Sequence, residues 1–61
     1  MAQKRFRKAL WLQTANEQVE AHILSEREVN DALEIWVNDL DNKTEEELTA
    51  MGVEVREEWL Q

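Results

Sequence analysis

The 61-residue sequence contains no cysteine, one glycine and one histidine. Without cysteine, it can form neither a disulfide nor a thiolate metal site. One glycine excludes a glycine-rich phosphate-binding loop. The single histidine, His22, has no nearby nucleophile or second ligand of the usual spacing. We therefore expect no cofactor, no metal and no enzymatic activity.

Long apolar runs are also missing. No segment approaches the ~20 apolar residues of a membrane-spanning helix, and no apolar stretch follows the basic start as it would in a signal peptide. Yet 43% of the residues are hydrophobic, with three tryptophans, which is too rich for a disordered acidic tail. The composition predicts a single soluble, cytoplasmic domain over residues 1–61 that makes no membrane contact.

Positive charge is scarce and concentrated at one end. Lys4, Arg5, Arg7 and Lys8 are four of the seven basic residues, and no acid precedes Glu17. The net charge of −7 repels nucleic acid, so no direct nucleic-acid binding is expected. We interpret the basic stretch as an internal electrostatic clasp. A phosphate-binding segment and an arm that contacts an acidic partner remain as alternatives.

The alternation of apolar and polar residues predicts three strands, at residues 5–13, 19–24 and 53–61. Two capping boxes predict helix starts, at Ser25 with Glu28 and at Thr44 with Glu47. The first helix would end near Leu40. The second would be short, spanning residues 44–51, with Leu48 and Met51 turned inward and Gly52 in a left-handed cap.

These elements predict an α+β fold. The order β-β-α-α-β gives a small three-stranded antiparallel or mixed sheet, with the first strand in the middle and the long helix packed on one face. The clasp would consist of cross-strand pairs, Arg7 with Glu20 and with Glu54 or Glu58, and Lys8 with Glu57. The predicted core is Phe6, Leu10, Leu12, Val19, Ala21, Ile23, Val29, Leu33, Trp36, Leu40, Val53 and Val55. The parity of the last strand turns Trp59 inward near Phe6, but the register at the end of the chain leaves both a core and a surface position open for it.

The open face of the predicted sheet is the candidate partner-binding site. It would present apolar and basic residues that the core does not use, and tryptophan and arginine are enriched in binding hot spots. The predicted site consists of Arg7, Trp11, His22, Arg56 and Leu60. A secondary acidic surface, suited to a basic cleft, consists of Asp31, Glu34, Glu45 and Glu46.

Three segments carry a resemblance to a known family. KRF at residues 4–6, SEREVNDALEIW at 25–36 and GVEV at 52–55 resemble the small acidic inhibitors of bacterial RNA polymerase made by short-tailed phages. The resemblance implies a three-stranded sheet with one helix and a protein that blocks initiation by binding the polymerase. The chain departs from the family at the last strand, where Glu57 and Glu58 follow Arg56 in place of arginines. It also adds the acidic helix at 44–51.

The sequence thus predicts a non-enzymatic module of the phage-inhibitor type that binds and occludes a host protein or complex, with RNA polymerase as one candidate. Two alternatives belong to other classes. One is an acidic DNA mimic that occupies a nucleic-acid-binding site. The other is a structural homodimer, since a chain this short buries only ~60% of its unfolded surface and is marginal alone.

Overall fold

The computed structural model describes residues 3–61, and most of these residues are helical. Among them, no helix has both the length and the apolar content needed to cross a bilayer. The first helix, α1, spans Lys8–Glu20. The second, α2, consists of Glu26–Ala32, a π-helical turn at Leu33–Val37 and a last turn at Asn38–Leu40. A short helix, α3, spans Glu45–Ala50, and a 3-10 turn follows at Glu57–Trp59.

The predicted α+β fold is wrong. Helical residues make up 63% of the described chain, strand or bridge residues only 7%, and residues 3–61 contain no sheet. Helix α1 replaces most of the strand predicted at 5–13 and the first two residues of the strand predicted at 19–24, whose remaining residues form a turn. The strand predicted at 53–61 is irregular apart from its 3-10 turn and a single bridge at Leu60. The open sheet face that would bind a partner therefore does not exist.

Helix α1 forms because its apolar residues also lie at helical spacing. Trp11 and Ala15, four residues apart, are buried at 6% and 3% exposure, and Leu12 and Val19 pack beside them. Positions i and i+4 share one face of a helix, so this spacing gives the helix a packed stripe. Trp11, which the alternating pattern places on the outer face, consequently lies in the core.

A left-handed turn reverses the chain between α1 and α2. The His22 amide donates to the Val19 carbonyl at 3.1 Å and the Ile23 amide to the Gln18 carbonyl at 2.9 Å. These two bonds form a Schellman motif, whose C′ residue is usually glycine. Here that residue is His22, with φ of 60°, in a region that disfavours residues with a Cβ.

Both predicted helix starts are confirmed, one of them in part. At α3 the Glu47 amide donates to Thr44 Oγ1 while the Glu47 carboxylate accepts from the Thr44 amide, which completes the box. These bonds from the Thr44 amide and hydroxyl lower the pKa of Glu47. At α2 the Glu28 amide donates to Ser25 Oγ, but the Glu28 carboxylate accepts from the Ser25 hydroxyl rather than from its amide.

The predicted cap at Gly52 is confirmed as well. Its φ is 74°, and its amide donates to the Thr49 carbonyl at 3.0 Å, while the Val53 amide donates to the Leu48 carbonyl at 2.9 Å. This is a second Schellman motif, with the expected glycine. Leu48 turns inward at 2% exposure as predicted, whereas Met51 is 54% exposed, so its inward placement is wrong.

Three short segments near the chain ends and after α2 are joined by backbone hydrogen bonds. Arg5 and Gln61 exchange backbone hydrogen bonds of 3.0 and 2.9 Å, and Arg7 donates to Trp59 at 2.8 Å. On the other side, Phe6 donates to the Lys43 carbonyl and accepts from the Asn42 amide. Residues 5–7 thus lie between residues 59–61 and 42–44. Only two isolated antiparallel bridges result, Arg5 with Thr44 and Phe6 with Leu60, so the prediction of a first strand between strands at 19–24 and 53–61 is wrong.

The core centres on Phe6, which is 0% exposed. Its ring lies 6.2 Å from that of Trp36 and 6.3 Å from that of Trp59, and Trp11 meets Trp36 edge-on at 5.6 Å. Trp59, for which the sequence left both positions open, is partly buried beside Phe6, and its indole N–H donates to Thr14 Oγ1 at 3.1 Å. Tilted and edge-on rings at these separations are the favoured aromatic geometries.

The predicted core is confirmed in part. Phe6, Val29 and Leu40 are buried. Six further predicted residues are partly buried and pack against the core: Leu12, Val19, Leu33, Trp36, Val53 and Val55. Leu10 is only partly buried, and Ala21 and Ile23 are exposed, so the last two assignments are wrong. Both fall in the turn after α1, within the strand predicted at 19–24.

Candidate functional site

The structure places the five residues of the predicted partner-binding face in different environments. Trp11 is buried. Arg7 and Leu60 lie close together where residues 5–7 pair with residues 59–61, and both are partly buried. Arg56 is exposed and lies over the Trp59 ring at 5.7 Å. These three residues therefore lie around Trp59, whereas His22 lies apart from them, exposed at the opposite end of α1.

The basic stretch makes internal contacts, as the clasp interpretation predicted, but with different partners. Arg7 donates to Asn42 Oδ1 at 2.9 Å and Arg5 to the Asn42 carbonyl at 2.9 Å. Lys4 forms an ion pair with Glu57 at 3.1 Å. The predicted pairs of Arg7 with Glu20, Glu54 or Glu58, and of Lys8 with Glu57, are absent from residues 3–61, because the strands that would have aligned them do not form.

An acid from another segment caps α1. Its own N-cap residue, Arg7, provides no side-chain hydrogen bond, and the first turn contains no acid. Asp41 instead accepts from the Lys8 amide at 3.0 Å, and the Lys8 ammonium reaches Asn38 Oδ1 at 3.2 Å. A carboxylate at this position satisfies a free amide and suits the positive end of the helix dipole. The start of α1 and the end of α2 are thereby joined.

The four residues of the predicted acidic surface are all exposed. Asp31 and Glu34 lie on α2, and Glu45 and Glu46 lie in the first turn of α3. No group of three or more potential metal-ligating side chains converges within residues 3–61. These four acids therefore present dispersed negative charge to solvent.

The apolar surface that the structure exposes lies elsewhere, in a groove between α2 and the segment after α3. Ile35 is 73% exposed and Met51 54% exposed, and both line this groove, whose volume is about 440 Å³. We call it the Ile35–Met51 groove. Its other lining residues are Trp36, Asp39, Leu40, Val53, Glu54 and Val55.

Local backbone features place both exposed side chains. Ile35 lies in the π-helical turn of α2, where the Asn38 amide donates to the Leu33 carbonyl, five residues back. Such turns are frequent at functional sites. Met51 is the C-cap of α3, immediately before the left-handed Gly52. From there the chain turns so that Val53 and Val55 form the far wall of the groove.

The groove is apolar inside and acidic at its edge. Among residues 3–61, Asp39 and Glu54 are the only charged residues that line it, and none of the lining residues is basic. Both carboxylates are exposed. A ligand with an apolar side chain next to a positive charge would match both properties.

A second groove, between α1 and α2, is less favourable for docking. Leu12, Val19 and Leu33 line it, with Glu20 and Glu26 at the edge. These apolar side chains are all partly buried, and none of the large exposed apolar residues lies there. The Ile35–Met51 groove therefore remains the stronger candidate site.

No known protein family, curated protein or solved structure matches this chain. The sheet that the resemblance to phage polymerase inhibitors implies is absent from the described residues.

Sequence reasoning missed both central residues of the groove, although one signal was present. Ile35 lies off the apolar stripe of α2, and a large aliphatic residue on the polar side of an amphipathic helix is a sign of an exposed apolar patch. Met51 gave no such signal, because its exposure depends on where α3 ends and how the next segment turns.

Proposed function

We propose that this protein is a non-enzymatic protein-binding module that docks through the Ile35–Met51 groove onto a positively charged partner. One observation carries the proposal. Of the three large apolar side chains exposed in residues 3–61, two line the same groove, at 73% and 54% exposure.

Charge supports the choice of partner. The net charge is −7, and the two charged residues of the groove are acidic. Such a surface accelerates encounter with a positive partner and disfavours a negative one. The apolar lining then supplies the short-range contact, since interface hot spots are apolar pockets sheltered from water.

The mode of action that fits a chain of this size is occlusion. The module would cover part of a larger host protein or complex in the cytoplasm and inhibit or modulate it, as a phage-encoded protein would. RNA polymerase is one candidate that can be tested directly. The sheet-face contact through Trp11 that the sequence predicts is not part of this proposal, because that side chain is buried.

Paired substitutions at two exposed isoleucines test the function. Ile35→Lys places a charge in the groove, whereas Ile23→Lys places the same charge on a side chain of similar exposure, 67%, outside the groove. Each variant and the wild type would be immobilised and used to capture proteins from bacterial lysate and, separately, purified bacterial RNA polymerase. Both substitutions change the net charge equally, so non-specific electrostatic binding affects them alike.

We expect the Ile35→Lys variant to lose a partner that the wild type and the Ile23→Lys variant retain, with a loss of at least about tenfold in affinity once the partner is purified. If the two variants bind alike, the groove is not the docking site. A partner captured at the same level by all three proteins would then have to bind another surface.

An acidic DNA mimic is the second candidate, and a separate observation favours it. Every one of the fourteen acids is exposed, on a molecule whose described residues extend 38 × 20 × 14 Å. Binding through carboxylates alone should weaken steeply between low and moderate salt. The double variant Asp31→Lys, Glu34→Lys should weaken this binding. The Ile35→Lys and Ile23→Lys variants should bind equally well, because the groove would not be involved.

A further inference from the structure

We propose that the Ile35–Met51 groove binds an extended, basic segment of the partner, which adds as a β-strand to the backbone of residues 53–56. The inference rests on the proposed function and specifies how the groove is used. It is independent of the identity of the partner protein.

The backbone of residues 53–56 is open. Within residues 3–61, the amides of Glu54, Val55 and Arg56 donate no hydrogen bond, and the carbonyls of Val53, Glu54 and Val55 accept none. Most backbone groups in folded proteins are paired unless water reaches them. A run of unpaired amides and carbonyls is the usual template for strand addition.

The same segment has the side-chain pattern of a strand. Burial alternates along it, with Val53 and Val55 partly buried and Glu54 and Arg56 exposed. Arg56 has extended dihedral angles, φ −69° and ψ 142°. A strand of four residues spans about 13 Å at ~3.3 Å per residue, which is enough to pair with a short peptide.

The groove also fits the side chains of an added strand. In a strand, every second side chain points to the same face, so an added segment can direct alternate apolar side chains towards Ile35 and Met51. The intervening side chains point to the opposite face, to which the exposed Glu54 projects between the partly buried Val53 and Val55. Lysine or arginine at those positions meets opposite charge. The chemistry of the occupant is therefore alternating apolar and basic residues.

This chain already uses the same pairing at its ends. Residues 59–61 pair antiparallel with residues 5–7 through three backbone hydrogen bonds between Arg5 and Gln61 and between Arg7 and Trp59. Residues 53–56, a few positions earlier, remain without such a neighbour in the described chain. The backbone of this C-terminal part is thus partly paired and partly available.

Three synthetic nine-residue peptides test the inference on the full chain. The first alternates lysine and leucine. The second has the same composition rearranged to the 3.6-residue period of a helix. The third repeats the alternating order with every second amide N-methylated, which removes the donors of one strand edge. Fluorescence polarisation would measure the binding of each peptide to the wild type and to the Ile35→Lys and Ile23→Lys variants. NMR would measure hydrogen exchange at the backbone amides of the protein.

The alternating peptide should bind the wild type at least about tenfold more tightly than the helical-order and N-methylated peptides. It should slow hydrogen exchange at amides 54–56 by at least about tenfold. Ile35→Lys should abolish this preference and Ile23→Lys should preserve it. Protection confined to another segment would overturn the inference.

The remaining outcomes separate the inference from the proposed function. If the helical-order peptide binds at least as well and depends on Ile35, the groove is a docking site but strand addition is wrong. If no peptide binds, strand addition of a basic segment is wrong, and the capture experiment with the paired isoleucine variants still decides the function.

Discussion

The two ends of the hairpin formed by α1 and α2 are constructed differently. At one end, which we call the tied end, residues 5–7 form backbone hydrogen bonds with residues 42–43 and with residues 59–61, and Phe6 lies between Trp36 and Trp59. At the other, the turn end, residues 21–25 contain exposed Ile23 and a left-handed His22. Contacts distant in sequence stabilise the first end, whereas the second depends on local backbone geometry. We therefore expect the tied end to be far more sensitive to substitution.

The largest contrast should come from truncating an apolar side chain at each end. Phe6→Ala removes a fully buried ring and should cost ~3–5 kcal/mol. A 61-residue chain at ~0.05–0.15 kcal/mol per residue has only about 3–9 kcal/mol of stability, so this variant should be largely unfolded. Ile23→Ala should change stability by less than about 0.5 kcal/mol. Urea unfolding followed by tryptophan fluorescence measures both, and equal effects would contradict the contrast.

An intermediate effect is expected from the cap that joins α1 to α2. Asp41→Ala removes the acceptor for the Lys8 amide and should cost about 1 kcal/mol. Asp41→Asn keeps an oxygen acceptor and should cost less. Asp39→Ala, at a nearby exposed carboxylate that makes no hydrogen bond within residues 3–61, is the matched control and should be nearly neutral. A cost at Asp39 equal to that at Asp41 would show that local charge, not the cap, is responsible.

A small effect of opposite sign is expected from His22 at the turn end. His22→Gly should stabilise the protein by about 0.5–1 kcal/mol, because glycine adopts a positive φ without a Cβ clash. Gly52→Ala, at the equivalent position after α3, should destabilise the protein by about 1 kcal/mol. The cost comes from the positive φ and not from a steric clash with neighbouring atoms, since an added Cβ there meets no atom within 4 Å. Thermal unfolding should shift in opposite directions, and a lower melting temperature for His22→Gly would refute this account.

The helix starts could be predicted from the sequence because capping is local. Thr44 with Glu47 and Ser25 with Glu28 interact across three residues, and Gly52 satisfies a backbone angle at its own position. The residue types alone determine these interactions. The same local reasoning could have flagged His22, had the end of α1 been known.

The strand predictions failed because short apolar runs do not distinguish the two periods. Between residues 5 and 13, Ala9 and Trp11 broke the alternation that Leu10 and Leu12 suggested. Trp11, Ala15 and Val19 fit a helix equally well, and short runs of this kind are ambiguous by periodicity alone. The choice depended on tertiary packing, where Trp11 meets Trp36.

By itself, the sequence determined where α2 and α3 begin and where α3 ends, since each of these depends on residues within a few positions. It also determined the separation of a basic start from an acidic remainder, which is a property of composition. Only the tertiary structure decided that α1 is a helix, that Asp41 caps it, and that Ile35 and Met51 share one groove. Those features join residues sixteen or more positions apart, as with Ile35 and Met51. Their geometry follows from how the helices pack around Phe6, which no local pattern specifies.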